Sequence, residues 1–242
     1  KYNFDWQGAL LTAVFYSLGK ISGDNILVVD YDDLTDVKVY ATLKGVTLEE
    51  AGGFSRMKTV IEKSQKERPT FIFDNGDTFH GTYEAVASKG EQLIPLVNEL
   101  GIQAMTFHWD IGYGPERLRA IGEKLNYPIL AINAYEEETN DLYFKPYTIV
   151  KQNNISIGVI GIAATIIDKT MPPHFSEGLY FTLGNEELPH YIQELQEKEV
   201  DLIIVLSHLG FPQDVKMMQE VSGVDICLSG HTHNRLSEPI QV

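Results

Sequence analysis

Phe71-Ile72-Phe73 runs directly into Asp74-Asn75-Gly76-Asp77-Thr78-Phe79-His80-Gly81-Thr82, an abrupt passage from apolar run to acidic, glycine-bounded loop. Three large apolar residues in a row suit a strand buried on both faces. Asn75-Gly76 favours a turn, so the chain leaves the strand and carries Asp74, Asp77 and His80 out at its carboxyl end. The same transition recurs three times. Ala104–Phe107 leads into His108-Trp109-Asp110, Leu202–Leu206 into Ser207-His208, and Asp225–Leu228 into Ser229-Gly230-His231-Thr232-His233.

Three further apolar runs read as strands: Ile26–Val29, Ile129–Ile132 and Ile155–Ile160. Between the runs lie segments with helical spacing: Gly53–Lys66, Glu91–Leu100, Pro115–Leu125, Leu188–Lys198 and Pro212–Val221. Alternation of buried strands and helices predicts an α/β fold. Segment 133–147 reads as loop with a hairpin-like stretch, and Thr165–Leu183, with Pro172, Pro173 and Gly178, as a long loop over one face. Open α/β sheets bind ligands at the carboxyl ends of their strands, which is where these acids and histidines fall.

The chemistry of that set is metal binding. Imidazole and carboxylate without thiolate suit zinc, manganese or iron. Asp77 is the candidate to bridge two cations, and Gly76 and Gly81 beside it would let the backbone pass close to them. Two ions about 3.5–4 Å apart activate water and polarise a phosphoryl oxygen. His231 and His233 can converge on a metal from one turn. A lone H-x-H is common; four ligand groups, each following an apolar run, are not.

Bulk properties narrow the partners. A net charge of −15 argues against a nucleic-acid polymer or an anionic membrane surface, though not against a small anionic substrate held by dications. Cys227 is the only cysteine, which excludes an intrachain disulfide and a thiolate cluster and leaves the redox compartment open. No apolar run reaches the roughly 18 residues of a membrane span. Ala9–Leu18 has the length of a signal-peptide core, but reads better as an amphipathic or buried helix. Residues 1–25 are expected to form a helical extension packed on a domain spanning 26–242.

Gly76-Asp77-Thr78-Phe79-His80-Gly81 resembles the G-D-x-x-x-G block of calcineurin-like metallophosphoesterases, and Ser207-His208 and Gly230-His231-Thr232-His233 resemble its later histidine blocks. Asp74–Thr82, Gly52–Arg56 and Gly158–Gly161 are similar to the 5′-nucleotidase branch. The resemblance implies a four-layer α/β/β/α sandwich with two central mixed sheets and a dinuclear site of manganese, zinc or iron. It also implies hydrolysis of a nucleotide or related small phosphate ester by a metal-bound hydroxide. By position, Asp77 bridges the ions, His208 and His231 bind one, His233 binds the other, and His108 is a further ligand. The family's nucleotidases add a C-terminal domain that grips base and sugar, and their location implies export or the bacterial cell surface, with the cytoplasm left open.

Two blocks depart from the family. Phe107-His108-Trp109-Asp110 stands where the family has Gly-Asn-His-Glu/Asp. Trp109 is then a substrate-contacting residue that cannot shuttle a proton. His80 is the candidate general acid, and Asp110 is expected to orient His108 or cap the next helix. A similar His-Trp-acid run occurs in the thiosulfohydrolases, so a sulfur ester is the alternative substrate. At the first block, Asp30-Tyr31-Asp32 replaces Asp-x-His, leaving Asp30 and Asp32 as the first candidate ligands, with Asp33 or Asp36 as the alternative; a catalytically impaired relative that binds a ligand or partner is the third reading. Arg235 is a candidate phosphate contact. Asp74 reads equally as a turn acid or a support for a ligand, and His174 and His190 as solvated or capping residues.

Overall fold

A computed structural model describes residues 53–234, 236 and 238–242, with the backbone of three earlier strands, β1 (Leu27–Val29), β2 (Val37–Ala41) and β3 (Glu50–Ala51). The expected N-terminal helix, Asp30, Asp32 and Arg235 lie outside the described residues. β1 to β3 form an antiparallel sheet in sequence order.

The strand ends that carry the chemistry belong to two sheets. β4 (Phe73–Asp74) pairs in parallel with β5 (Ala104–Met105), and parallel bridges extend the arrangement from Met105 to Ile129 and from Leu130 to Lys145. The second sheet runs β11-β10-β8-β7, with β7 (Tyr147–Gln152), β8 (Ile155–Ile162), β10 (Leu202–Ser207) and β11 (Ile226–Ser229). β8, β10 and β11 are parallel, so their carboxyl ends lie at one edge; β7 is antiparallel to β8. Asn153-Asn154, both at positive φ (49° and 64°), make the two-residue turn between β7 and β8 that Asn tolerates well. β7 is not among the predicted runs because its residues are only half-buried and alternate less cleanly.

The helices are α1 (Phe54–Glu67), α2 (Tyr83–Ser88), α3 (Ile94–Asn98), α4 (Pro115–Gly122), α5 (Ile167–Thr170), α6 (Leu188–Glu197) and α7 (Phe211–Glu220). Four predicted helices recur within a few residues. The fifth, at 91–100, is split into a 3-10 turn (Glu91–Leu93) and α3, with Pro95 in the first turn of α3. The Pro-rich segment is not simply loop. It holds α5, a 3-10 turn (Pro173–Phe175) and β9 (Leu179–Phe181), which pairs antiparallel with β6 (Ala134–Glu136). The hairpin-like reading of 133–147 corresponds to the Tyr135–Leu142 bridge.

Three buried clusters organise the packing. Phe73, Ala104, Leu130, Val159, Ile204, Leu206 and Leu228 fill the space between the two sheets. Leu188, Ile192 and Leu195, on one face of α6, pack on Ile160, Ile162, Ile203 and Val205. Each such side chain stabilises by roughly 1.5–3 kcal/mol. Met105 and Phe107 meet Ala85, Ile94, Val97, Leu118 and Ile121 from α2 to α4. The fold is a mixed α/β arrangement, and this distribution of cores is consistent with helix, sheet, sheet and helix stacked in that order. Gly161 is required where the sheets touch: a Cβ there would collide with the Leu130 carbonyl oxygen, and Ile132 N–H donates to Gly161 O at 2.9 Å. No helix among the described residues is long and apolar enough to cross a membrane.

Candidate metal centre

The loop after β4 is closed by its own side chains. Asp74 Oδ1 accepts the Gly76 N–H at 2.9 Å, and the Thr78 hydroxyl donates to Asp74 Oδ2 at 2.7 Å. Gly76 (φ 92°) crosses the backbone at the end of β5, where a Cβ would lie 2.9 Å from Phe107 Cα. Its role is thus to let two loops cross, while at Gly81 a Cβ would meet nothing within 4 Å and the demand is a φ of 84°. Asp77 and His231 take φ of 63° and 69°, strained values that Asp and His adopt more readily than most residues.

Four groups converge. Asp77 Oδ1 lies 3.2 Å from His108 Nδ1, and Asp77 Oδ2 lies 3.2 Å from His208 Nε2. The Trp109 N–H donates to Asp77 Oδ1 at 2.9 Å. The His231 ring centroid is 4.8 Å from that of His108 and 5.3 Å from that of His208. One ligand atom from each of Asp77, His108, His208 and His231 falls within 4.8 Å of all the others. Asp77, His108 and His208 are buried and His231 partly so.

The donor set fits a divalent cation. Among the described residues, both ring nitrogens of His108 and Nε2 of His208 are buried without a hydrogen-bond partner. His108 Nδ1 and His208 Nε2 each approach the Asp77 carboxylate at 3.2 Å without hydrogen-bond alignment, so all three groups present donor atoms to one small space. Buried polar atoms left in this way call for a partner, and a cation held among the four would supply it. His208 is also preset for the task. Its Nδ1 is 2.5 Å from the Asn75 carbonyl, which can only accept, so Nδ1 carries a proton, and in the neutral ring the lone pair is on Nε2.

The charges of the cluster are set by burial and by one another. Burial raises the Asp77 carboxyl, but His108 and His208 outweigh it and hold it well below the usual carboxylate range. Burial lowers His208, yet Asp77 pulls its net position upward. Burial and then the neighbouring His208 and His108 push His231 down to about 4, which keeps it neutral, with a lone pair, at neutral pH. Asp74 is lifted to about 7, first by burial and then by the nearby Asp110.

That last shift carries a stability prediction. A carboxyl whose folded pKa stands above its unfolded value of about 3.9 binds more protons in the native state, so its contribution is lost as pH rises from about 4 through 7. In urea denaturation of chelator-treated protein, Asp74→Asn should flatten the fall in stability between pH 5 and pH 8. An unchanged slope would remove Asp74 as its source.

The remaining candidates fall into three positions. Asp110 is completely buried and lies outside the group of four. Its Oδ1 accepts the N–H groups of Thr78 (2.7 Å) and Phe79 (2.8 Å), and its Oδ2 those of Asp77 (2.8 Å) and His108 (3.1 Å). His80 and Trp109 flank the cluster. His80 Nε2 is 3.8 Å from Asp77 Oδ1, its ring stacks on Trp109 at 6.0 Å, and Trp109 is 40% exposed. Phe175, from the Pro-rich segment, packs edge-on to Trp109 at 5.9 Å, a contact no sequence pattern signalled. His233 (φ 52°) is exposed and outside the four. His190 pairs with Glu194 at 3.0 Å on α6, the solvated role expected of it, and His174 lies exposed against Phe175.

This α/β domain gathers three imidazoles and a carboxylate at strand ends, a candidate site for a divalent cation. The chain belongs to the calcineurin-like phosphoesterase family, whose pattern matches residues 21–235. It is 30% identical over 195 residues to a snake venom 5′-nucleotidase of Crotalus adamanteus, covering 76% of this chain and 32% of the relative. It is 27% identical over 193 residues to a probable 5′-nucleotidase of Treponema pallidum, covering 77% and 32%. The chain thus spans about a third of the length of these curated relatives. Among solved structures, a 5′-nucleotidase precursor of Thermus thermophilus is similar with a TM-score of 0.74 at 25% identity, covering 83% of this chain and 39% of that one. The sulfate thiohydrolase SoxB of the same organism shares the fold with a TM-score of 0.75 at 24% identity, covering 80% and 36%.

Proposed function

We propose that this chain is a metal-dependent phosphoesterase acting on a nucleotide or related small phosphate ester. The observation that carries the reading is the convergence of Asp77, His108, His208 and His231 with buried ring nitrogens that have no other partner among the described residues. These four would hold one ion. His233, with Asp30 or Asp32 and a shared Asp77, would hold a second, of manganese, zinc or iron. A divalent cation there supplies charge neutralisation and Lewis-acid polarisation of the phosphoryl oxygen.

The chain's own residues do the rest. Asp110 orients the loops that carry Asp77 and His108. Trp109 offers an exposed aromatic wall to the ester beside the cluster. His80, part-exposed next to Asp77, would give a proton to the leaving oxygen, and Arg235 would meet the phosphate. Trp109 also favours a second reading, hydrolysis of a sulfur-containing ester, because a neutral indole suits a leaving group that departs without a proton.

The test is turnover of an aryl phosphate, AMP and a thiosulfate ester by purified protein loaded with Mn²⁺ or Zn²⁺, with metal content measured on the same sample. Phosphate release that EDTA abolishes is expected. Preference for the thiosulfate ester would replace the first reading with the second. Folded protein that binds less than one ion per chain and turns over nothing would mark a non-catalytic relative.

A further inference from the structure

We propose that the first turn of α7 is a bracket that positions His208 and His231, with Asp214 as its central positioning residue; this rests on reading those histidines as metal ligands. Ser207 and Ser229 are register partners at the last rung shared by β10 and β11. His208 follows Ser207 directly, and His231 follows Ser229 by two residues. Both hydroxyls donate to one carboxylate: Ser207 Oγ to Asp214 Oδ1 at 2.5 Å, and Ser229 Oγ to Asp214 Oδ2. Ser207 and Asp214 are buried. The two strand ends are therefore tied to each other through a single side chain, one residue and two residues upstream of the histidines.

The same turn also grips the loop beyond. The Phe211 N–H, first in α7, donates to Thr232 Oγ1 at 2.9 Å, and Thr232 sits between His231 and His233. Gly210 (φ 101°) allows the approach, since a Cβ there would lie 2.8 Å from Thr232 Cγ2. Gly230 N–H closes onto Ser207 O at 2.8 Å. A buried carboxylate that accepts from two serine hydroxyls gains little net stability over an apolar trio of the same shape, because its desolvation offsets the bonds. What it does supply is direction: it sets the separation of the two strand ends and, with it, the spacing of two imidazoles. Outer partners of metal ligands are worth about 10–100-fold in affinity.

The experiment compares wild type, Asp214→Ala, Asp214→Asn and the double variant S207A/S229A. Mn²⁺ and Zn²⁺ affinities are measured by calorimetry, and the His208 and His231 ring resonances by NMR on metal-free protein. Asp214→Ala and the double variant should bind about 10–100-fold more weakly, with shifted ring resonances. Asp214→Asn, which can still accept from one serine and donate to the other, should recover most of the affinity. The double variant removes two small hydroxyls and decides the matter if Asp214→Ala does not fold. Affinity within twofold of wild type in a folded variant overturns the bracket. If wild type binds neither ion, the metal reading fails on its own, and unchanged ring resonances in the double variant then overturn the bracket separately.

Discussion

Asp77→Asn should weaken divalent-cation binding by at least about 100-fold, beyond the roughly 10–100-fold typical of a residue that only supports a ligand, and hydrolysis should fall with it. The substitution isolates charge. Asn tolerates the left-handed backbone that Asp77 adopts (φ 63°), so the loop's conformation carries over. The amide can still accept the Trp109 N–H through its oxygen. What disappears is the anion that His108 and His208 both face at 3.2 Å. Without it, three imidazoles would be left to hold an ion, with no carboxylate to offset its charge. Calorimetric titration with Mn²⁺, beside thermal melting of the metal-free protein, separates loss of affinity from loss of fold. Affinity within a factor of a few of wild type would take Asp77 out of the centre.

Asp110→Ala should be the most destabilising single change near the site. Four buried N–H groups, from Asp77, Thr78, Phe79 and His108, lose their acceptor together. An unsatisfied buried group costs roughly 1–3 kcal/mol, so the total is at least about 4 kcal/mol, in the rare upper range of point mutations. A domain of this size loses about 2–4 °C of Tm per kcal/mol, which predicts a fall of ~8 °C or more. Asp110→Asn keeps one oxygen and turns an NH2 toward two of the donors, so it should fall between. The check is thermal or urea denaturation without metal. A Tm within ~2 °C of wild type for the alanine variant would show that the two loops hold their shape without the carboxylate. Metal affinity should drop in both variants, because two of the four donors are the backbone amides of Asp77 and His108.

These two aspartates differ in how much of their role is visible along the chain. Asp77, His208 and His231 are legible because each follows an apolar run, and parallel strands end together. His108 is legible for the same reason, even though the residue type departs from the family pattern. Asp110 is legible as a residue that orients His108, but the extent of its role is not. Four amide donors spread over two loops converge on it only when Gly76 lets those loops cross. Asp214 carries no signal at all: it lies six residues after His208, on a helix, among ordinary polar neighbours. The Trp109–Phe175 contact is hidden because the Pro-rich segment lacks periodicity, so nothing local says which face it covers.

Sequence alone determined the α/β class, most of the buried strands and the longer helices, and the delivery of acids and histidines to strand ends, because burial periodicity and turn chemistry are local and are written residue by residue. Only the tertiary structure decided which of those residues meet. The 4.8 Å gathering of Asp77, His108, His208 and His231, and the separate duties of Asp110 and Asp214, depend on how two sheets pack and where loops cross. Those are long-range consequences of close packing, and no window of neighbouring residues contains them.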